Sequence, residues 1–240
     1  MPTLVLLRHG RSTANTSGVL AGWTPGVNLD EHGRKQAEAV AERLRSVPLA
    51  AIVASPLDRC LQTVKPLFVG RDGGPDAPVI DDRFGECKYG DWTGRKLTDL
   101  VNEPLWKVVQ QHPSAAVFPG PEGEGLAATQ ARAVAAVREW NTRVEASHGA
   151  DAVWLACSHG DVIKAILADA YGMHLDLFQR IVVDPCSVSV IRYSETRPFV
   201  VRVNDIGGDL TGLLPPPKSP GNTERADESD AVVGGGAGAV

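Results

Sequence analysis

The chain has 240 residues, 43% of them hydrophobic and 22% charged, with a formal net charge of −5 at pH 7. Such a chain can bury one substantial core without splitting into two domains, and its residue usage is that of an ordinary globular protein. The acidic balance argues against nucleic acid or an anionic membrane as partner, and no apolar run reaches membrane-spanning length.

The N-terminus lacks the basic and apolar regions of a signal peptide. Four cysteines (Cys60, Cys87, Cys157, Cys186) are widely spaced and form no C-x-x-C or Cys/His ligand pattern. They are expected to be reduced core or near-core residues, which places the protein in the cytoplasm.

Thr3–Leu7 reads as a short buried strand, and Leu7-Arg8-His9-Gly10-Arg11-Ser12-Thr13-Ala14-Asn15 follows its end. Packing does not explain a histidine between two arginines there. Glycine allows close backbone approach and arginine offers a planar donor fork, so Arg8-His9-Gly10 points to an anion held against an imidazole. Glu31–Ser46 is predicted helical, with Ala37, Val40, Ala41 and Leu44 on one face and Asp30 as cap. Ala50–Ala54 is the next strand. Ser55-Pro56 then opens a helix over Asp58–Val69, which Pro66 should kink or end.

Phe84 to Gly94 reads as a loop in which glycines and aromatics partly shield one or two acids, Glu86 and Asp91. Such shielding raises a carboxyl pKa and suits a general acid. Leu126–Ser147 is a long helix and Ala152–Cys157 a strand. Ser158-His159-Gly160 repeats the opening arrangement before a helix over Asp161–Tyr171, closed by Gly172. Ser187–Tyr193 and Phe199–Val203 are expected to pair as an antiparallel hairpin.

Strand–helix alternation with mostly unalternating strands predicts an α/β fold around a largely parallel sheet. In such a sheet the C-terminal strand ends share one edge, where ligands bind, so His9, Arg59 and His159 can meet there. Residues 1–206 are read as one domain. Residues 207–240, with Pro215-Pro216-Pro217, a glycine-rich end, no aromatic and a net charge of −3, are read as a disordered C-terminal tail.

Arg8-His9-Gly10, Ser55-Pro56-Leu57-x-Arg59-x-x-x-Thr63, Glu86-x-x-Tyr89-Gly90-x-Trp92-x-Gly94 and Ser158-His159-Gly160 together resemble the histidine phosphatase superfamily, in the family's order. The branch resembled holds cofactor-dependent phosphoglycerate mutases and related phosphatases. The likeness covers roughly residues 1–205. Gly22-Trp23 and Leu29-x-x-x-Gly33-x-x-Gln36-Ala37 also resemble the family's first loop and helix.

The resemblance implies a phosphoglycerate mutase-like three-layer α/β/α sandwich. It also implies an enzyme in which His9 takes a phosphoryl group and passes it to water. Arg8, Asn15, Arg59, His159 and Gly160 would bind the phosphoryl oxygens, and Glu86 would be acid and then base. No metal and no cofactor are called for, and a small phosphorylated metabolite is the expected partner. Dimers are common in the family, so a homodimer through a sheet edge is open to this chain.

The chain departs from the family pattern at Arg11-Ser12 and at Gly123-Glu124-Gly125, where Gly-Glu-Ser is usual. Between Gly94 and Gly123 it has one compact helical segment and no Arg-Arg pair, where mutases carry a longer insertion. Phosphomonoester hydrolysis is therefore expected ahead of phosphoglycerate mutase activity. An inactive phospho-ligand-binding module is the third reading. His32, His112, His148 and His174 are expected at the surface, and Trp154 in the core. Trp23 and Trp106 are expected to pack rather than bind.

Overall fold

In the computed structural model, residues 1–70, 73–208, 233, 234 and 236 are described. The chain runs β1 (Thr3–Arg8), α1 (Thr13–Ser17), α2 (Glu31–Arg43), β2 (Leu49–Ala54), α3 (Asp58–Val64) and β3 (Val79–Ile80). It continues through α4 (Leu97–Leu100), α5 (Pro104–Gln111), α6 (Leu126–His148), β4 (Val153–Ser158), α7 (Gly160–Tyr171), β5 (Val188–Tyr193) and β6 (Pro198–Asp205). The strands form one sheet in the order β3-β2-β4-β1-β5-β6. β1, β2, β3 and β4 pair in parallel, whereas β5 and β6 run antiparallel, as the expected hairpin.

Successive side chains of a strand face opposite sides of a sheet, and here both sides are buried. Leu4 and Leu6 of β1 join Trp154 and Ala156 of β4 in a core shared with α6 and α7. Val5 and Leu7 join Leu155 and Cys157 in a second core, under α2 and α3. Helices thus cover both faces, which explains the near-continuous apolar runs of β1 and β4. All four cysteines are free and buried. Among the described residues no helix is long and apolar enough to cross a membrane.

The elements differ from expectation at three places. The helix after β2 is α-helical only to Val64 and continues as a 3-10 turn over Lys65–Phe68, because Pro66 has no N–H to donate back along the helix. α1 and β3 were not predicted. α1 is a five-residue helix held by a capping box in which Ser12 and Asn15 bond reciprocally.

Residues 209–232, 235 and 237–240 fall outside the described residues, and the expectation of disorder is not addressed there. Val233 and Gly234, however, are packed against the domain, with Val233 only 2% exposed. The physical reason is local. Val233 brings an apolar side chain, and glycine lets the backbone reach buried polar partners.

Candidate active site

The register of the three central parallel strands assembles the site. Leu7 of β1 and Ala54 of β2 both stand opposite Cys157 of β4. Just beyond, the His9 amide donates to Ser158 O (3.0 Å) and the Ser55 amide to Cys157 O (3.0 Å). His9, Ser55 and His159 therefore leave the sheet side by side at its C-terminal edge. Gly10 then turns the chain against α2. A Cβ on Gly10 would sit 2.7 Å from Gly33 O, so the close approach needs glycine.

Thr63 ties α3 to this turn. Its hydroxyl accepts from the Gly10 amide (2.9 Å) and donates to Arg59 O (2.6 Å). The arrangement puts the buried Arg59 guanidinium between the two imidazoles. Arg59 Nε donates to His9 Nε2 (3.3 Å), and Nη2 reaches His159 Nδ1 (3.1 Å) and Gly22 O (3.0 Å). The ring centroids of His9 and His159 are 5.1 Å apart.

These contacts set both tautomers, since arginine only donates and a carbonyl only accepts. His9 Nδ1–H donates to Gly10 O (2.8 Å), which leaves the Nε2 lone pair facing Arg59. His159 accepts at Nδ1, and its Nε2–H points to Ser55 Oγ (2.7 Å). Burial, followed by the charges of Arg59 and Arg8, pushes the His9 pKa well below the ordinary imidazole value. Burial and Arg59 push His159 the same way. Both rings are neutral at pH 7.

Glu86 completes the cluster. Its Oε2 lies 3.7 Å from His159 Nδ1 and 4.0 Å from Arg59 Nη2, and Oε1 accepts from the Cys87 amide (3.1 Å). Burial, then the charge of Asp161, raises its pKa to about 7 despite Arg59. At 4.0 Å the arginine does not offset the lost hydration. The loop is pinned by side chains that sequence reasoning did not assign to it. Trp23 Nε1 donates to Glu86 O (2.6 Å). Arg132 of α6 donates to the carbonyls of Arg83 (2.7 Å), Gly85 (2.9 Å) and Glu86 (3.0 Å) while pairing with Glu124.

A narrow cavity opens onto His9, Asn15, Gly22, Arg59, Glu86 and Tyr89. Asn15 borders it, with its Oδ1 held by Ser12 (2.8 Å). Gly160 begins α7 directly after His159, so the helix N-terminus, a favourable place for an anion, abuts the site. The remaining predicted residue, Arg8, is buried beside the cluster but points to carbonyls. Nη1 donates to Val183 O (2.7 Å) and Nη2 to Gly236 O (2.9 Å).

Among the described residues no three His, Cys, Asp or Glu side chains cluster as metal ligands. His32, His112, His148 and His174 are exposed, as expected. In the segment before α6, Arg95 pairs with Glu103 (2.7 Å), and Trp106 packs near Trp92 in the core.

Comparison with known proteins gives the same answer as the motifs. The chain is 29% identical over 187 residues to 2,3-bisphosphoglycerate-dependent phosphoglycerate mutase 2 of Gloeobacter violaceus, covering 78% of this chain and 83% of that protein. It is 29% identical over 208 residues to phosphoserine phosphatase 1 of Hydrogenobacter thermophilus, covering 85% and 92% respectively. The solved structure of Bacillus stearothermophilus YhfR superposes with a TM-score of 0.75 at 27% identity, over 86% of this chain and 98% of that one. The model of the histidine phosphatase superfamily (branch 1) matches residues 4–206, and the chain belongs to that family.

Proposed function

We propose that the protein is a phosphomonoesterase that moves the phosphoryl group of a small phosphorylated metabolite first to His9 and then to water. The observation that carries this reading is the His9 tautomer. A neutral imidazole with Nδ1–H fixed on Gly10 O presents a lone pair at Nε2, beside an arginine donor.

In the first step Nε2 attacks phosphorus and the ester P–O bond breaks. Protonated Glu86 gives its proton to the departing oxygen. In the second, Glu86 carboxylate takes a proton from water as the water oxygen attacks, the N–P bond breaks, and inorganic phosphate leaves. A carboxyl group with a pKa of about 7 is suited to both roles near neutral pH. Arg59 would stabilise charge on the phosphoryl oxygens, and His159 would join it by accepting at Nδ1 the proton of a monoanionic ester, together with Asn15, the α7 N-terminus at Gly160, and Arg8 once its Nη2 is released. Positive side chains take the part that a metal plays in other phosphoryl-transfer sites.

Hydrolysis is favoured over phosphomutase activity because the segment between Gly94 and Gly123 offers no arginine pair, and its Arg95 is engaged by Glu103. The test is phosphate release from a panel of phosphomonoesters with EDTA present, beside a 3-phosphoglycerate to 2-phosphoglycerate assay with added bisphosphoglycerate. Phosphate release that survives EDTA and disappears in His9→Ala is expected. Isomerisation outpacing release would establish the mutase instead. Binding of phospho-ligands with no turnover would establish the binding module.

A further inference from the structure

The carboxyl-terminal residues Val233, Gly234 and Gly236 belong to the wall of the cavity that holds His9, Arg59 and Glu86. Their attachment is specific. The Val233 side chain is buried in the core cluster that includes Leu20 and Tyr89. The Gly234 amide donates to Asp161 Oδ2 (2.9 Å), the oxygen that also accepts from Tyr89. Arg8 Nη2 donates to Gly236 O (2.9 Å) and, more weakly, Gly234 O (3.4 Å).

Gly234 has φ +76°, and a Cβ there would meet Leu20 Cδ1 at 3.0 Å and the Tyr89 hydroxyl at 3.5 Å. Only glycine combines that backbone with that space. The segment thus places neutral carbonyl oxygens on a guanidinium that directly precedes the nucleophile, where phosphoryl oxygens are the natural acceptors.

We propose that Val233, Gly234 and Gly236 are an intramolecular competitor of the phosphoryl group: the carboxyl-terminal strap and a phosphate ester exclude one another at Arg8. The inference rests on the phosphoryl-binding role proposed for this pocket. Two physical arguments favour a displaceable strap over a permanent wall. A charge-assisted bond from arginine to phosphate is stronger than one to a neutral carbonyl, so a bound ester wins the arginine. Ordering a glycine-rich segment also loses more backbone entropy than any other, which keeps docking weak.

The test compares the full chain with Gly234→Pro, which loses the N–H to Asp161 and cannot adopt φ +76°, and Val233→Asp, which cannot bury its side chain. Neither residue belongs to the proposed chemistry. Titration calorimetry with inorganic phosphate should show binding at least threefold tighter in both variants. In the full chain, amide exchange of the peptide containing Gly234 should accelerate when phosphate is added. KM for phosphomonoesters should fall in the variants, with kcat equal or higher.

Phosphate binding that is unchanged, weaker or absent in both variants overturns the strap, as does exchange slowed by phosphate. The calorimetry and exchange need no turnover, so a chain that hydrolyses nothing refutes the proposed function while the strap is still judged. A chain that hydrolyses normally, with variants indistinguishable from it, refutes the strap alone.

Discussion

The hydroxyl of Tyr89 donates to Oδ2 of Asp161 across 2.9 Å, and both side chains are fully buried. The bond joins the Glu86-x-x-Tyr89 loop to the first turn of α7, and so joins two sequence motifs that lie 72 residues apart. It also fixes a carboxylate where its charge raises the pKa of Glu86. Asp161→Asn keeps an acceptor for Tyr89 and removes that charge. In the proposed mechanism the first step needs protonated Glu86, so kcat/KM should decline on the alkaline side of the Glu86 pKa. The substitution should move that decline to lower pH. A pH–rate profile with an unmoved alkaline limb would show that Asp161 does not tune the acid.

Glu86 also has a stability signature. Its pKa in the folded protein, about 7, lies above its ordinary value of 4.5. The folded state therefore binds the proton more tightly, and its contribution is complete below pH 4.5 and lost as pH rises through 7. Glu86→Gln carries no charge at either extreme. It should be more stable than the native chain at pH 8 by roughly 3 kcal/mol at most, with the gap closing near pH 4.5. His9 and His159 act in the opposite sense, since their depressed pKa values remove stability as pH falls through about 6.5, and they are common to both proteins. Thermal unfolding of the two proteins from pH 4.5 to 8 measures the difference directly. A gap that does not change with pH would contradict the shielding of Glu86.

How much of this was legible in the sequence depended on whether the signal was local. Short apolar runs ending at His-Gly marked β1 and β4, because strands buried on both faces show no alternation to confuse them. β3 was invisible, since Val79 and Ile80 are both exposed and become a strand only by pairing with Val53 and Ala54. α1 is polar and cap-driven, with no apolar period to read. Motifs single out His9, Arg59, Glu86 and His159 as candidates, and the fold brings the four side chains together. Arg132 carries no local signal in the sequence, because only the fold places the carbonyls of the Glu86 loop within its reach. Val233 lay in an acidic, glycine-rich stretch whose composition predicted no partner.

Thr63 offers a test of how His9, the proposed nucleophile, is seated. Its hydroxyl satisfies the buried Gly10 amide while bonding to Arg59 O. Thr63→Val has nearly the same shape but leaves that N–H without its acceptor, a loss of about 1–3 kcal/mol. Thr63→Ser keeps the hydroxyl and should retain most of the stability and turnover. Denaturant titration and phosphate-release kinetics on both variants separate the hydroxyl from the methyl group. Equal losses in the two would assign the role of Thr63 to packing.

Arg132 tests whether the Glu86 loop must be held as well as built. Its guanidinium donates to the carbonyls of Arg83, Gly85 and Glu86 at once and pairs with Glu124, a span that a single ammonium cannot reproduce. Arg132→Met keeps the stem and removes every donor, so the loop should loosen without leaving a cavity. A general acid displaced by an ångström can lose on the order of 100-fold in rate, and with Glu86 in its proposed role the loss should fall on kcat more than KM. Alkyl phosphates need a proton on the departing oxygen, whereas p-nitrophenol leaves well without one. Arg132→Met should therefore lose far more kcat on an alkyl phosphate than on p-nitrophenyl phosphate, and Arg132→Lys should not restore it. Equal losses on the two substrates would mean that Arg132 supports the fold and not the position of the acid.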